Sequence, residues 1–418
     1  MYRLLVATLL AAQLLVSGST EALAGRVVDA RTLQPIADAI VTLEDSVVRT
    51  GQDGTFAIRG SGAGLGVRAY GYARISVSVD EVQRQEGKIA LPPFHPKALY
   101  LTSLGVASRA LRDAALEIED HTEINALVID VKGDRGVVAF PSTTPLAIVI
   151  GSERSPTIAS LRELTDSLHA RGIYCIARIV VFKDNVLAPA RPDLAVKTRS
   201  GYLWRDREQL AWTDPFLREV WEYNINLAVE AARGGFDEIQ FDYIRFPDVP
   251  GLLFSQASTQ DSRVAAISGF LELAHERLAP YNVFLSADIF GYVCWNTDDT
   301  GIGQTLASLL PHVDYLSPML YPSTFQFGIP GYRDPVAHPH EVVFDSLEHA
   351  LERTRVPGDR FRPWLQSFHD YAFDRRAFGG AEVRAQISGA EQAGSNGWML
   401  WNPRNVYAAS GLEPKSPK

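Results

Sequence analysis

Cysteine is scarce in this chain, since Cys175 and Cys294 are the only two among 418 residues. A small exported protein held together by disulfides carries many more, so the sequence excludes a disulfide-rich scaffold. Both residues are predicted on or after strands that are not neighbours, which leaves a disulfide open without favouring it. Neither residue has the flanking residues of a catalytic thiol or a zinc ligand.

Positive charge is also in short supply. The chain has 40 Lys and Arg against 49 Asp and Glu, which gives a formal net charge of -9. This balance argues against nucleic acid or an anionic membrane as the main partner. A soluble polar substrate fits it better, and the 46% hydrophobic and 21% charged residues are typical of a globular protein.

Long apolar runs are confined to the N-terminus. Residues 4–16, after Arg3, are almost wholly apolar but too short for a comfortable membrane span. Ala22-Leu23-Ala24 then supplies the small residues of a cleavage point. We therefore predict a signal peptide over residues 1–24 and a secreted or periplasmic protein with no membrane span after cleavage. An uncleaved anchor is the alternative.

Several catalytic and cofactor motifs are missing. The sequence has no His-Glu-x-x-His zinc motif, no Gly-x-Ser-x-Gly nucleophile elbow and no Walker-type phosphate loop. His338 and His340 flank Pro339, so they offer no helical i, i+4 face to a metal. We predict neither a metal site nor a cofactor.

Short strands and turns dominate residues 25–92. Segments such as 39–43 and 55–58 alternate with turn signals, of which Asp53-Gly54 is the strongest, and this spacing predicts a small all-β sandwich. Residues 25–29, 35–39, 50–56 and 71–72 resemble the carboxypeptidase regulatory-like domain, a transthyretin-like sandwich. The resemblance implies an accessory role in docking, spacing or weak glycan contact; a purely stabilising domain is the alternative.

From residue 93 to 418, short apolar runs of strand type alternate with longer amphipathic runs. Eight such βα units predict an α/β fold, a (β/α)8 TIM barrel with enlarged loops. A doubly wound open sheet is the weaker alternative, because no Gly-rich phosphate-binding turn follows an early strand. The predicted strands cover residues 98–103, 126–132, 174–182, 235–247, 283–290, 313–322, 363–368 and 397–403.

The fourth predicted strand ends in polar residues. Side chains alternate along a strand, so Gln240 and Asp242 share the face opposite Ile239 and Phe241. An amide and a carboxylate on one face are costly in a core but suit the mouth of a barrel, where active sites lie. The alternative is a salt bridge from Asp242 to Arg245 that closes a loop.

Polar and aromatic residues recur at or after the C-terminal ends of other predicted strands. Together they suit a carbohydrate, whose hydroxyls meet polar groups and whose C–H faces meet rings. Trp204 and Trp212 belong to a long loop, residues 184–214, and packing of that loop is their alternative role. The predicted substrate-binding residues are Asp130, Lys132, Arg178, Trp204, Trp212, Gln240, Arg245, Tyr321, Gln366, Trp401 and Asn402.

Two carboxyl groups at neighbouring strand ends predict glycoside cleavage, in which one protonates the leaving oxygen and the other attacks the anomeric carbon or activates water. Asp242 is assigned as nucleophile or stabiliser, with Arg245 to help keep it ionised. Asp288 has a more apolar setting and is assigned as a general acid with a raised pKa. Asp130 is the reserve carboxylate; an ion pair with Lys132 or Arg178 is its alternative.

Residues 126–133, 235–247, 313–322 and 398–403 resemble a bacterial family described as a glycosyl hydrolase domain, over about residues 97–407. The segment around Asp242 is specific to that family and its relatives. The resemblance implies a TIM barrel and glycosidase activity. The sequence thus predicts an exported glycoside hydrolase that cleaves a polysaccharide. A non-catalytic glycan-binding or envelope-assembly protein on a degenerate barrel is the alternative.

Overall fold

The computed structural model describes residues 22–415, so residues 1–21 of the predicted signal peptide lie outside the described part of the chain. Residues 23–91 form two small sheets. The elements of this N-terminal unit are β1 (Leu23–Asp29), β2 (Ile40–Leu43), β3 (Ser46–Arg49), β4 (Thr55–Ile58), β5 (Gly64–Arg68), β6 (Ile75–Ser78), the helix α1 (Val79–Arg84) and β7 (Lys88–Leu91).

The two N-terminal sheets share one apolar core. In the first sheet, β1 pairs antiparallel with β4 and parallel with β7, and the second sheet is antiparallel in the order β3-β2-β5-β6. Buried side chains from both sheets, among them Val27, Val41 and Ile89, pack into one cluster. The two sheets agree with the short strands that the sequence predicts, although the unit also contains the helix α1. Its resemblance to the carboxypeptidase regulatory-like domain stays a prediction.

The remainder of the chain is a closed barrel of eight parallel strands, so the predicted TIM barrel is confirmed. Each strand pairs with its successor, and β15 returns to pair with β8. The strands are β8 (Lys97–Leu101), β9 (Ala126–Lys132), β10 (Tyr174–Val180), β11 (Glu238–Asp242), β12 (Phe284–Phe290), β13 (Tyr315–Met319), β14 (Trp364–Gln366) and β15 (Trp398–Trp401).

Helices surround the barrel and connect its strands. Their apolar faces pack on the outward side chains of the strands and form the largest buried cluster, while Tyr100, Val128, Ile176 and Met399 belong to a separate cluster inside the barrel. The helices are α2 (Ser103–Ala107), α3 (Arg109–His121), α4 (Pro145–Ile150), α5 (Leu161–His169), α6 (Leu187–Ala190), α7 (Arg218–Arg233), α8 (Gln260–Leu278), α9 (Leu306–Leu309), α10 (Pro339–Thr354) and α11 (Gly380–Gln392).

The N-terminal unit packs against the barrel face at which the strands begin. Arg74 donates hydrogen bonds to Asp237 Oδ1 (2.7 Å), to the carbonyl of Gly235 (3.1 Å) and to that of Asn282 (3.1 Å). These three residues directly precede β11 and β12. The N-terminal unit therefore contacts the end of the barrel opposite the C-terminal strand ends.

Cys175 in β10 and Cys294 after β12 are both buried and unbonded. Between residues 22 and 415, no helix combines the length and the apolar character that crossing a membrane requires.

Candidate active site

The C-terminal strand ends open into a cavity of about 620 Å³. Ligand pockets typically enclose about 300–1,000 Å³, so it can hold more than one sugar ring. Carboxylates, guanidinium groups and aromatic rings line it. The lining includes Arg178, Glu208, Asp242, Tyr243, Arg245, Asp248, Phe290, Met319, Tyr321, Trp364, Phe368, Tyr371 and Trp401.

The buried guanidinium of Arg178 connects three aspartates. Its Nη1 donates to Asp130 Oδ1 (2.6 Å), and its Nε and Nη2 donate to Asp242 Oδ2 (3.1 and 2.5 Å). Asp288 Oδ2 lies 3.8 Å from the same Nε. Strands β9, β10, β11 and β12 are neighbours and supply one residue each, so barrel closure brings distant parts of the sequence together.

Asp242 is held at both carboxylate oxygens. Arg178 donates to Oδ2, and the backbone N–H of Tyr243 donates to Oδ1 at 2.5 Å. Tyr243 has a φ of 50°, in the left-handed region that bulky residues rarely adopt. Such strain concentrates at functional sites, and here it accompanies an amide directed at the carboxylate. Every hydrogen bond to Asp242 is donated to it, which suits a carboxylate rather than a proton donor.

Asp288 has a different environment. Trp364 Nε1 donates to its Oδ1 at 2.8 Å, while its Oδ2 has no hydrogen-bond partner in the described part of the chain. Burial, together with the negative charge of Asp242, raises the pKa of Asp288 well above the ordinary value, although Arg178 and Trp364 act in the opposite direction. A carboxyl group of this kind keeps its proton to higher pH and is suited to a general acid.

Aromatic rings enclose the central guanidinium. Tyr100 and Trp401 stack with centroids 3.9 Å apart, and Arg178 lies 4.9 Å from the Trp401 centroid. Trp364 meets Trp401 edge-on at 5.4 Å, and the Tyr100 hydroxyl donates to Asp130 Oδ2 at 2.6 Å. Burial raises the pKa of Asp130, and Arg178 opposes that rise. Asp130 is thus engaged in the Arg178 ion pair that was its alternative role.

Seven of the sequence-predicted site residues form one cluster. Asp242, Arg178, Arg245, Tyr321 and Trp401 line the cavity, and Asp130 and Asp288 contact Arg178. The ion-pair partner of Asp242 is Arg178 rather than Arg245. The Arg245 guanidinium instead lies over the rings of Trp212 (4.9 Å) and Tyr243 (5.2 Å).

Lys132 lies away from the cavity, contrary to its predicted place beside Asp130. It is fully buried, with its Nζ 2.9 Å from Asp184 Oδ2 and 2.6 Å from the carbonyl of Val180. The pairing of β9 with β10 shifts register after Asp130, which interrupts the alternation of side chains that the prediction assumed. Its contacts are those of a residue that anchors a loop.

Gln240 and Gln366 are fully buried inside the scaffold and do not line the cavity. Gln240 points inward, as expected, and reaches Ser317 and Met399, each at 3.4 Å. The Gln366 amide bonds to Ser323 and to the carbonyl of Phe368. Gln240 therefore lies inside the barrel, and Gln366, the last residue of β14, holds the segments that follow β13 and β14.

Trp204, Trp212 and Asn402 also lie outside the cavity. Trp212 is only 2% exposed, and its Nε1 donates to Asp206. It packs on Trp204 with ring centroids 6.1 Å apart. The two rings therefore pack the long loop, which was the alternative to sugar binding. Asn402 lines a neighbouring hollow and donates to the carbonyl of Ser367 at 2.5 Å.

Sequence reasoning missed Tyr100, Tyr243 and Trp364. Tyr100 and Trp364 lie within predicted strands, where period-two alternation places Trp364 on the same face as Gln366. That signal was available for Trp364. The left-handed backbone of Tyr243 leaves no mark in the sequence.

One group of side chains has the spacing of a metal site, but its bonding argues against metal. Ligand atoms of His169, Cys175 and Asp237 lie within 4.8 Å of one another, at the barrel end that faces the N-terminal unit. Asp237 already accepts hydrogen bonds from Arg74, His169 and the amide of Cys175. Burial raises the pKa of the Cys175 thiol well above its ordinary value, which disfavours the thiolate a metal needs.

Comparison with solved structures gives several similar chains. A hypothetical protein from Ruminiclostridium thermocellum ATCC 27405 is 40% identical over 46% of this chain and 96% of its own, with a TM-score of 0.41. The PgaB (BpsB) glycoside hydrolase domain from Bordetella bronchiseptica is 14% identical, covering 78% of this chain and all (100%) of its own, with a TM-score of 0.56. A β-galactosidase from the psychrophilic Marinomonas ef1 is 13% identical over 73% of this chain and 54% of its own, with a TM-score of 0.50.

The last two similarities, at low identity, support the fold alone. The search of curated proteins found no match. A family model described as "Putative glycosyl hydrolase domain" matches residues 98–407, which is the whole barrel from β8 to beyond β15. The chain therefore belongs to this glycosyl hydrolase-like family of TIM barrels.

Proposed function

We propose that the protein is an exported glycoside hydrolase that cleaves a polysaccharide with Asp242 and Asp288. The observation that carries the proposal is the contrast between two carboxyl groups beside one guanidinium. Asp242 accepts hydrogen bonds at both oxygens, whereas Asp288 keeps one oxygen free and has a raised pKa. Pairs of carboxyl groups with opposed environments are the usual acid and nucleophile of glycosidases.

In this mechanism Asp288 donates its proton to the glycosidic oxygen as the bond to the leaving sugar breaks. In the retaining route Asp242 attacks the anomeric carbon, and water, activated by the Asp288 carboxylate, then hydrolyses the glycosyl ester and returns the proton to Asp288. In the inverting route Asp242 instead takes a proton from a water molecule that attacks the anomeric carbon directly. Because Asp242 Oδ2 and Asp288 Oδ2 lie 3.1 and 3.8 Å from one Nε atom, they are at most about 7 Å apart. Retaining enzymes need about 5–5.5 Å and inverting enzymes about 6.5–9.5 Å, so NMR of the product anomer distinguishes the two routes.

The test is cleavage of a panel made of chitosan, partly N-acetylated chitosan, polygalacturonate, xylan and galactan, with products separated by size. Asp242→Asn and Asp288→Asn should each lower kcat by roughly a thousandfold, as expected when a general acid or nucleophile is lost. Wild-type turnover by either variant rejects the assignment of that residue.

Stability provides the control for correct folding. The pKa of Asp288 is higher in the folded protein than in the unfolded chain. As the pH rises above the pKa of the unfolded chain, the unfolded state releases a proton that the folded state keeps, and the fold loses stability. Asn cannot titrate, so Asp288→Asn should have a higher Tm than the wild type at neutral pH. A lower Tm would attribute lost activity to damage of the fold.

A non-catalytic glycan-binding protein is the second candidate. It is favoured by the burial of Asp288, which is only 1% exposed, and by the contact of Arg178 with all three aspartates. Binding of a panel polysaccharide with no products after long incubation would support this second function and reject hydrolysis.

A further inference from the structure

A second hollow adjoins the active-site cavity. It encloses about 710 Å³ and is formed by the segments that follow β14 and β15. Phe368 and Pro403 line both the hollow and the cavity, so the two spaces meet across a ridge made of these residues. A ligand too long for the cavity would cross this ridge.

The ridge offers aromatic faces next to the cavity. Phe368 and Tyr371 stack with an interplanar angle of 14° and centroids 6.2 Å apart, and Tyr371 is 47% exposed. Tyr321 meets Phe368 edge-on at 5.6 Å, which links this platform to the cavity wall. Exposed rings of this kind pack on the C–H faces of sugars.

The chemistry of the two spaces differs. The cavity lining includes Glu208, Asp242 and Asp248, whereas no Asp or Glu lines the second hollow. Arg404 lines the hollow, and its guanidinium makes no hydrogen bond or ion pair with any residue between 22 and 415. The hollow can therefore bind sugar oxygens but lacks the carboxyl groups that cleavage requires.

Both walls of the hollow are fixed by internal hydrogen bonds. Asn402 donates to the carbonyl of Ser367 and accepts from the amide of Arg404. On the ridge side, Asp370 accepts hydrogen bonds from the Ser323 hydroxyl and from three backbone amides of residues 372–375. A site held in shape before binding loses less entropy when a ligand enters.

We propose that one polysaccharide chain lies in the cavity and extends over the Phe368–Pro403 ridge into the second hollow. This inference rests on the proposed glycoside hydrolase activity. It adds a non-catalytic subsite, reached past the stacked Phe368 and Tyr371 rings, with Arg404 as a donor to sugar oxygens.

The test compares long and short substrates. The probes are the panel polysaccharide that the wild type cleaves and its oligosaccharides of two, four and six units. Arg404→Ala should lower kcat/KM for the six-unit probe about tenfold, which corresponds to about 1.4 kcal/mol, and leave the shortest cleaved probe unchanged. The matched control is Arg84→Ala, which alters an exposed arginine on α1.

The outcomes separate this inference from the proposed function. Equal effects of Arg404→Ala on all probe lengths, or no effect on any of them, would overturn the inference while hydrolysis stands. A wild type that cleaves nothing in the panel overturns both.

Discussion

Arg178 is the side chain on which the other groups of the candidate site depend. One planar guanidinium satisfies Asp130 and Asp242 and lies near Asp288, and it is flanked by the Trp401 ring. A lysine could not reproduce this fork of donors. Because Arg178, Asp130 and Asp242 are all buried, the positions of both carboxylates depend on this one guanidinium.

Trp364 is a positioning residue for the proposed general acid. Its Nε1 hydrogen bond favours the ionised form of Asp288 and fixes the orientation of that carboxyl group. Trp364→Phe should therefore raise the pKa of Asp288 further and move the alkaline limb of the kcat–pH profile to higher pH, since the acid works when protonated. We also expect kcat at the optimum to fall about tenfold, which corresponds to the loss of one hydrogen bond worth about 1.4 kcal/mol.

Trp398→Phe is the matched control. Trp398 is also fully buried, but its Nε1 has no partner in the described residues and its ring belongs to the outer core cluster. It should lower stability without moving the pH profile. An unchanged alkaline limb in Trp364→Phe would contradict the positioning role.

Single residues differ in how far the sequence predicts them. Alternation along one strand correctly directed Gln240 and Asp242 to the barrel interior, because it depends only on neighbouring residues. Lys132 does not follow this alternation, because the pairing of β9 with β10, about 45 residues away in the sequence, shifts register before Lys132. The bond between Arg178 and Asp242 spans 64 residues and exists only after the barrel closes.

At the scale of elements, the strand cores were more predictable than the helix ends. All eight predicted strands overlap an observed one, because each carries a short apolar run. The helix α8, which precedes β12, begins at Gln260, after a capping box in which Thr259 and Ser262 bond reciprocally. The cap lies in a polar stretch that apolar periodicity does not reveal.

The junction of β15 with β8, which closes the barrel, requires Gly397. Its φ is 69°, and a Cβ atom there would lie 1.9 Å from the carbonyl oxygen of Pro96, which accepts the amide of Trp398 at 3.0 Å. Gly397→Ala should push the two strands apart. We expect a loss of at least about 3 kcal/mol in the free energy of unfolding, measured by urea denaturation.

Gly394→Ala isolates the backbone contribution. Gly394 has a φ of 71°, but nothing lies within 4 Å of its would-be Cβ. This variant should lose only about 1–2 kcal/mol, the usual cost of a left-handed conformation. Equal losses in the two variants would show that the contact with Pro96 does not matter.

For the whole molecule, the order of a β unit followed by a barrel could be predicted, but not how the two are joined. Turn spacing and βα alternation are local, whereas docking depends on a few contacts between surfaces. Arg74 belongs to neither pattern, yet it reaches the loops before β11 and β12. The docking face lies opposite the cavity, which favours a stabilising role for the N-terminal unit over one in glycan contact.

Arg74→Ala tests that role. Its side chain and that of Asp237 are largely buried (19% and 12% exposed), so removing it leaves a poorly compensated carboxylate. We expect the free energy of unfolding at pH 7 to fall by about 2 kcal/mol, while KM for a cleaved glycan stays unchanged because the cavity is at the other end. Arg84→Ala, which alters an exposed arginine on α1, should change neither quantity.

The loss in Arg74→Ala should also depend on pH. Burial acts to raise the pKa of Asp237, but the hydrogen bond from His169 and the charge of Arg74 leave it below the ordinary value. A carboxyl group with a lowered pKa stabilises the fold at pH values above its pKa in the unfolded chain, which is about 4. This stabilisation disappears as the pH falls through the lower pKa of the folded protein. The difference in unfolding free energy between wild type and Arg74→Ala should therefore shrink from pH 7 towards pH 3. A constant difference, or a changed KM, would mean that Arg74 acts through something other than the Asp237 pair.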